Sequence, residues 1–167
     1  QEYMDSWSMV IISLTNITSR KQMENDLRER EQFLNHIARV SPNMLFQFNY
    51  REARAVYAND SVVEMLGYSS AKPDGSNAGT VLINVYPDDL AKLPTHVTRL
   101  NASQPGEVVE DEFRVKNRAG EWRTLHIREV VNRRDENGQV IETVGNANDI
   151  TTLKRVAEKL ARSLEEK

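Results

Sequence analysis

Residues Met44–Tyr50 alternate, with Phe46 and Phe48 on one face and Gln47 and Asn49 on the other, the period of a half-buried strand. A second short strand is predicted over Ala55–Ala58. Asn59 or Asp60 then caps a helix to about Leu66, and Gly67 ends it. Residues 69–79 read as a loop, followed by the apolar turn Val81-Leu82-Ile83. Pro87-Asp88-Asp89 opens a further helix with Leu90, Leu93, Val97 and Leu100 as its inward stripe. Three strands follow, over Val108–Lys116, Trp122–Asn132 and Val140–Asp149, joined by turns at Asn117–Gly120 and Asp135–Gly138. The order β-β-α-α-α-β-β-β predicts an α+β domain whose antiparallel sheet is covered by helices on one face.

Ahead of this domain the pattern changes. Residues 8–15 are β-branched and apolar and read as a buried strand without a partner in the chain. Asn16-Ile17-Thr18 then opens into a charged helix, and Asp149-Ile150-Thr151 does the same about one domain length later. A repeat of that period points to a tandem array. Residues 1–18 are then the terminal strand of a truncated upstream unit, 19–40 a helical linker, 41–151 a complete domain, and 152–167 the start of an output helix. Ser19 with Gln22 fits a capping box. Met23, Leu27, Arg30, Leu34 and Ile37 fall at heptad spacing, interrupted once by a charge. This suits a parallel homodimer through residues 20–38, extended by 152–164, with a solvated linker as the alternative. Pro42 stops the helix.

Composition narrows the function classes. The chain has 167 residues, 39% apolar and 28% charged, enough for one domain with a core plus extensions. A net charge of −3 with both signs interleaved gives no basic face for nucleic acid. No apolar run approaches the roughly 18 residues of a membrane span. The absence of cysteine removes disulfides, thiolate ligands and cysteine nucleophiles, and fits a cytoplasmic setting. Gln1 in place of an initiator Met suggests a fragment of something larger.

Several phrases, in order, resemble the PAS domain, a sensory module of bacterial histidine kinases and diguanylate cyclases. They are Tyr57-Ala58-Asn59, Met65-Leu66-Gly67-Tyr68-Ser69 and Val85-Tyr86-Pro87-Asp88-Asp89-Leu90. Further on come Phe113-Arg114-Val115, Gly120-Glu121-Trp122-Arg123, Arg134-Asp135-Glu136-Asn137-Gly138 and Val144 through Thr151. The resemblance covers residues 41–151, and residues 1–18 resemble the tail of a preceding PAS unit. It implies a five-stranded antiparallel sheet in the order 2-1-5-4-3, a small-molecule pocket between sheet and helices, and signalling through the flanking helices. It also implies that Asp149, with Ile150 and Thr151, forms a relay: Asp149 ties the last strand to the output helix and Thr151 caps that helix. The upstream copy has Asn16 in place of the acid, so it lacks the charge.

No nucleophile-and-base pair, phosphate loop or metal-ligand spacing is present, and the chain reads as a non-enzyme. Glu110, Asp111 and Glu112 read as a solvated edge. His36 sits in a sequence that departs from a phosphoacceptor box, and His126 alternates outward between Leu125 and Ile127. His96 lies where haem-binding members place their axial ligand, yet helical spacing puts it beside the inward stripe. No cofactor is called for; haem or a non-covalent flavin stays open, and cysteinyl-flavin photochemistry is excluded. Candidate pocket residues are Phe46, Phe48, Leu82, Leu93, His96, Val97, Leu125, Ile127, Thr143, Gly145 and Ala147, with an ordinary filled core as the alternative. Three functions remain: a ligand-binding sensor module working with neighbouring PAS and output domains, a ligand-free dimerisation relay, and a haem-based sensor.

Overall fold

A computed structural model describes residues 2–67 and 85–165. The chain divides into two compact units, residues 1–40 and 41–167. The first is one helix, α1 (Glu2–Val40). The second contains β1 (Met44–Asn49), β2 (Arg54–Ala58), α2 (Ser61–Leu66), α3 (Pro87–Leu90) and α4 (Leu93–Ala102). It continues through β3 (Val108–Lys116), β4 (Trp122–Arg134), β5 (Val140–Asp149) and α5 (Thr151–Glu165).

The five strands form one antiparallel sheet in the order β2-β1-β5-β4-β3, as the resemblance implies. The first and last parts of the domain therefore meet at the centre. Met44, Phe46 and Phe48 of β1 stand opposite Ala147, Gly145 and Thr143 of β5. Alternation sends these residues to one face, with Leu125 and Ile127 from β4 and Phe113 and Val115 from β3. Val62 and Leu66 of α2 complete the main core, each 1% exposed. A smaller cluster of Leu100, Val109 and Val140 lies under α4 with Val97 and Val131.

Local signals explain the joints. The Asn59 carboxamide accepts the Leu45 N–H at 2.8 Å and donates to the Asn43 carbonyl at 3.1 Å, fastening the entry of α2 to β1. Gly67 has φ +72°, and the Leu66 carbonyl accepts the Arg118 N–H at 2.9 Å. A left-handed residue at this position thus lets α2 end against the β3–β4 turn.

Two expectations fail here. Residues 8–15 are helical, continuous with the rest of α1, and no new helix begins at Ser19. A strand without a neighbour leaves its backbone donors and acceptors unpaired, whereas a helix pairs them within the segment. The single helix expected from Pro87 to Leu100 is also two helices. Pro94 has no N–H for the Leu90 carbonyl and its ring crowds that carbonyl, so the chain breaks at Ala91-Lys92 and restarts with proline in the first turn of α4. The break changes the helix phase: Leu90 is 47% exposed and His96 is 3% exposed. The loop over 69–79 and the turn Val81–Ile83, with Leu82, lie outside the described residues.

Candidate functional site

A cavity of about 100 Å³ opens between the sheet and α4. Six of the residues singled out from sequence line it: Phe46, Phe48, Leu93, His96, Leu125 and Ile127. Met44, Tyr50, Ala55, Ala58, Val85, Phe113, Val115 and Glu129 complete the described walls. Four other candidates lie elsewhere. Val97 packs on the smaller cluster, and Ala147, fully buried, belongs to the main core. Gly145 does not leave open space, because the Phe46 ring fills it: a β-carbon there would lie 2.8 Å from Phe46 Cζ and 2.6 Å from the Arg128 carbonyl. Thr143 is fully buried and its hydroxyl donates to Glu129 Oε1 at 3.3 Å.

One end of the cavity is polar. His96 Nδ1 lies 2.6 Å from Asp111 Oδ2 and its Nε2 lies 2.7 Å from Glu129 Oε2. The same Glu129 oxygen accepts the Tyr50 hydroxyl at 2.8 Å. Arg99 Nη1 reaches Asp111 Oδ2 at 2.8 Å, and the His96 ring meets Phe113 edge-on at 5.6 Å. An imidazole facing a carboxylate at each nitrogen satisfies both only as imidazolium, since the neutral ring has one N–H. Burial opposes that charge, but the hydrogen bonds and charges of Glu129 and Asp111 outweigh it and raise the His96 pKa. Burial, then the Glu129 carboxylate, pushes the Tyr50 phenol far above its ordinary value and keeps it a donor.

His96 thus points inward rather than flanking the stripe, and Asp111 is part of this network instead of a solvated edge. Of its neighbours, Glu110 takes Arg128 and His126, and Glu112 takes Lys154. Tyr50, Asp111 and Glu129 were absent from the sequence-based candidates, although alternation carries the signal. Tyr50 follows Phe46 and Phe48 in phase, Asp111 falls between Val109 and Phe113, and Glu129 follows Leu125 and Ile127. The donor set does not suit haem. Both His96 nitrogens are engaged by carboxylates, and the cavity is small against the roughly 300–1,000 Å³ of sites for drug-sized and larger ligands.

The joint to α5 is held by Thr124, the chain neighbour of the cavity residue Leu125. Ile150 N–H donates to the Thr124 carbonyl at 2.9 Å, and Thr124 N–H donates back to Thr151 Oγ1 at 2.8 Å. Asp149 Oδ1 accepts the Thr151 N–H at 2.8 Å, and Oδ2 lies 3.6 Å from Arg123 Nη1. Asp149, in β5, thus ties the last strand to the first residue of α5 as implied, and the difference lies at Thr151. Asp149 caps the first turn of α5, while the buried Thr151 hydroxyl ties that helix to β4.

The family model described as PAS fold matches residues 55–147, more than half of the chain. The chain belongs to the PAS fold family. Solved structures similar to it include a sensory box histidine kinase/response regulator from Burkholderia thailandensis, at 20% identity and TM-score 0.60, covering 81% of this chain and 96% of that one. Another is the N-terminal domain of a diguanylate cyclase with PAS/PAC sensor from Marinobacter aquaeolei, at 18% identity and TM-score 0.52, with 67% and 98% covered. A domain of a putative light and redox sensing histidine kinase from Haloarcula marismortui is 22% identical, with TM-score 0.52 and 72% and 99% covered. No curated protein matches the chain. At these identities the neighbours show a shared fold. Among the described residues, no helix is long and apolar enough to cross a membrane.

Proposed function

We propose that this PAS chain is a cytoplasmic sensor and relay within a larger receptor. Occupancy of its cavity alters how α5 is held, and the chain performs no chemistry of its own. The observation that carries this reading is covalent adjacency. Leu125 is a cavity wall and stands opposite Asp149, while the preceding residue, Thr124, holds the Ile150 N–H with its carbonyl and the Thr151 hydroxyl with its N–H. A shift of the Leu125 side chain therefore acts on the root of the output helix within one residue. The pairing of His96 with carboxylates at both nitrogens favours binding over acid–base work, because neither nitrogen is free for a substrate.

The relay works in a parallel homodimer. Met23, Leu27, Leu34 and Ile37 of α1 are all exposed, as are Leu153, Val156, Leu160 and Leu164 along α5. Those apolar positions recur at three-, four- and seven-residue intervals, the spacing by which helices pair. A ligand needs only a few kcal/mol of differential binding to shift such a two-state joint.

Spin labels at Arg155 or Lys159 test the coupling. A ligand that raises the melting temperature should change the label-to-label distance across the dimer, and Thr151→Val should abolish that change while binding remains. An unchanged distance on saturation would refute the relay.

A further inference from the structure

The cavity has two ends of opposite chemistry. Met44, Phe46, Phe48, Val85, Phe113 and Leu125 present only carbon and sulfur. At the other end the polar groups are turned on one another: Tyr50 and His96 donate to Glu129, and His96 donates to Asp111. The charges there also cancel. The His96 imidazolium and the Arg99 guanidinium stand against Asp111 and Glu129. A ligand bearing net charge would leave one charge uncompensated among aromatic walls, which is costly unless the group neutralises. An apolar ligand disturbs none of these bonds. In size, the cavity of about 100 Å³ compares with an engineered apolar cavity of about 150 Å³ that binds benzene.

We infer that the cavity takes a small uncharged molecule with an apolar body of about the size of one benzene ring, and rejects anions and cations of that size. The inference rests on the sensor reading above. The aromatic rings of Phe46, Phe48 and Phe113 and the Met44 thioether along the wall favour an aromatic ring over an open chain.

Titration of the full chain, labelled with nitrogen-15, with toluene, benzoate and benzylammonium tests this inference. Toluene should give saturable amide shifts centred on Phe46, Phe113 and Leu125 and raise the melting temperature. Benzoate and benzylammonium should bind at least about tenfold more weakly. Ala58→Leu, which fills the cavity, should lose the toluene response. Because overfilling can also unfold a core, Leu93→Ala supplies a second arm: its larger cavity should admit naphthalene. A charged probe that occupies the cavity as tightly as toluene overturns the ligand class and leaves the sensor reading standing. If no probe binds the folded chain, the class is overturned as well, and native mass spectrometry of chain isolated from cells then judges the sensor reading. A small-molecule adduct preserves that reading, and its absence removes it too.

Discussion

Thr151 Oγ1 accepts the backbone N–H of Thr124 at 2.8 Å, so the first residue of the output helix completes the hydrogen bonding of a strand that walls the cavity. Thr151 is buried, and water cannot easily replace its hydroxyl. Thr151→Val keeps the shape and leaves the Thr124 donor unpaired, at a cost of about 1–3 kcal/mol. Hydrogen exchange should quicken at the Thr124 amide and through the first turn of α5, and Thr151→Ser should restore protection. Unchanged exchange in the valine variant would show that the hydroxyl does not hold the joint.

Asp89 and Arg114 join two phrases that look unrelated in sequence. The carboxylate of Asp89, 1% exposed, accepts Arg114 Nε at 3.0 Å, Nη2 at 2.9 Å and the Arg114 backbone N–H at 2.8 Å. Lys92 adds a contact of 2.8 Å, and the guanidinium stacks 3.7 Å over the Tyr86 ring. Arg114, followed by burial acting in the opposite sense and by Lys92, leaves the Asp89 pKa far below the ordinary range. A depressed folded-state pKa stabilises above the unfolded value of about 3.9 and loses that contribution as pH falls through the folded value. Asp89→Asn should therefore lower stability at pH 7 by about 2 kcal/mol, a figure reduced because Arg114 is partly exposed. Urea unfolding should show wild type and variant converging in strong acid.

His96 predicts the opposite slope. Its raised folded-state pKa gives stability that is fully present below the unfolded value of about 6.5 and is lost as pH rises through the folded value. The imidazole carbon and nitrogen resonances should report a protonated ring at neutral pH. His96→Gln should be most destabilising at pH 6, and its deficit should shrink toward alkaline pH. His96→Phe leaves Glu129 and Asp111 facing a ring without charge, and a cost of about 3–5 kcal/mol is expected from breaking a buried pair. A variant deficit that grows with pH would contradict this assignment.

The strands were readable because each is half-buried and alternates, and hairpin turns fixed their ends: β3 and β5 match their predicted spans. The polar end of the cavity was readable in principle by the same alternation, since Tyr50, Asp111 and Glu129 hold inward phase. For Asp111 the run of acids at 110–112 reads as a solvated edge, and for all three residues only the three-dimensional meeting of β1, β3, β4 and α4 supplies the partners that offset burial. His96 was misplaced for a local reason, the helix break ahead of Pro94. The strand over 8–15 was misread because composition alone does not separate a short apolar strand from helix.

Leu27 and Leu34 of α1 are exposed at 59% and 63%, seven residues apart on one face. In a paired-helix dimer they fill core positions, and Leu27→Lys with Leu34→Lys places like charges in the seam. Sedimentation should then give monomers, while the circular dichroism of residues 41–151 stays unchanged. A persisting dimer would move the interface away from α1.

Gly145 faces the Phe46 ring, and its backbone lies close to the carbonyl of Arg128. A methyl group at this position would lie 2.6 Å from that oxygen and 2.8 Å from Phe46 Cζ. The ring can turn aside, but the carbonyl belongs to the central β4–β5 ladder and cannot move without disturbing it. Gly145→Ala should therefore cost about 1–3 kcal/mol as overpacking, despite the preference of strands for residues other than glycine. Displacement of Phe46 also brings its ring further into the cavity, so the variant should bind toluene more weakly than the wild type at equal folded fraction. Unfolding by urea and the toluene titration read the two effects separately. A fully stable variant with unaltered binding would show that the sheet has slack at this position and that Phe46 does not set the cavity floor.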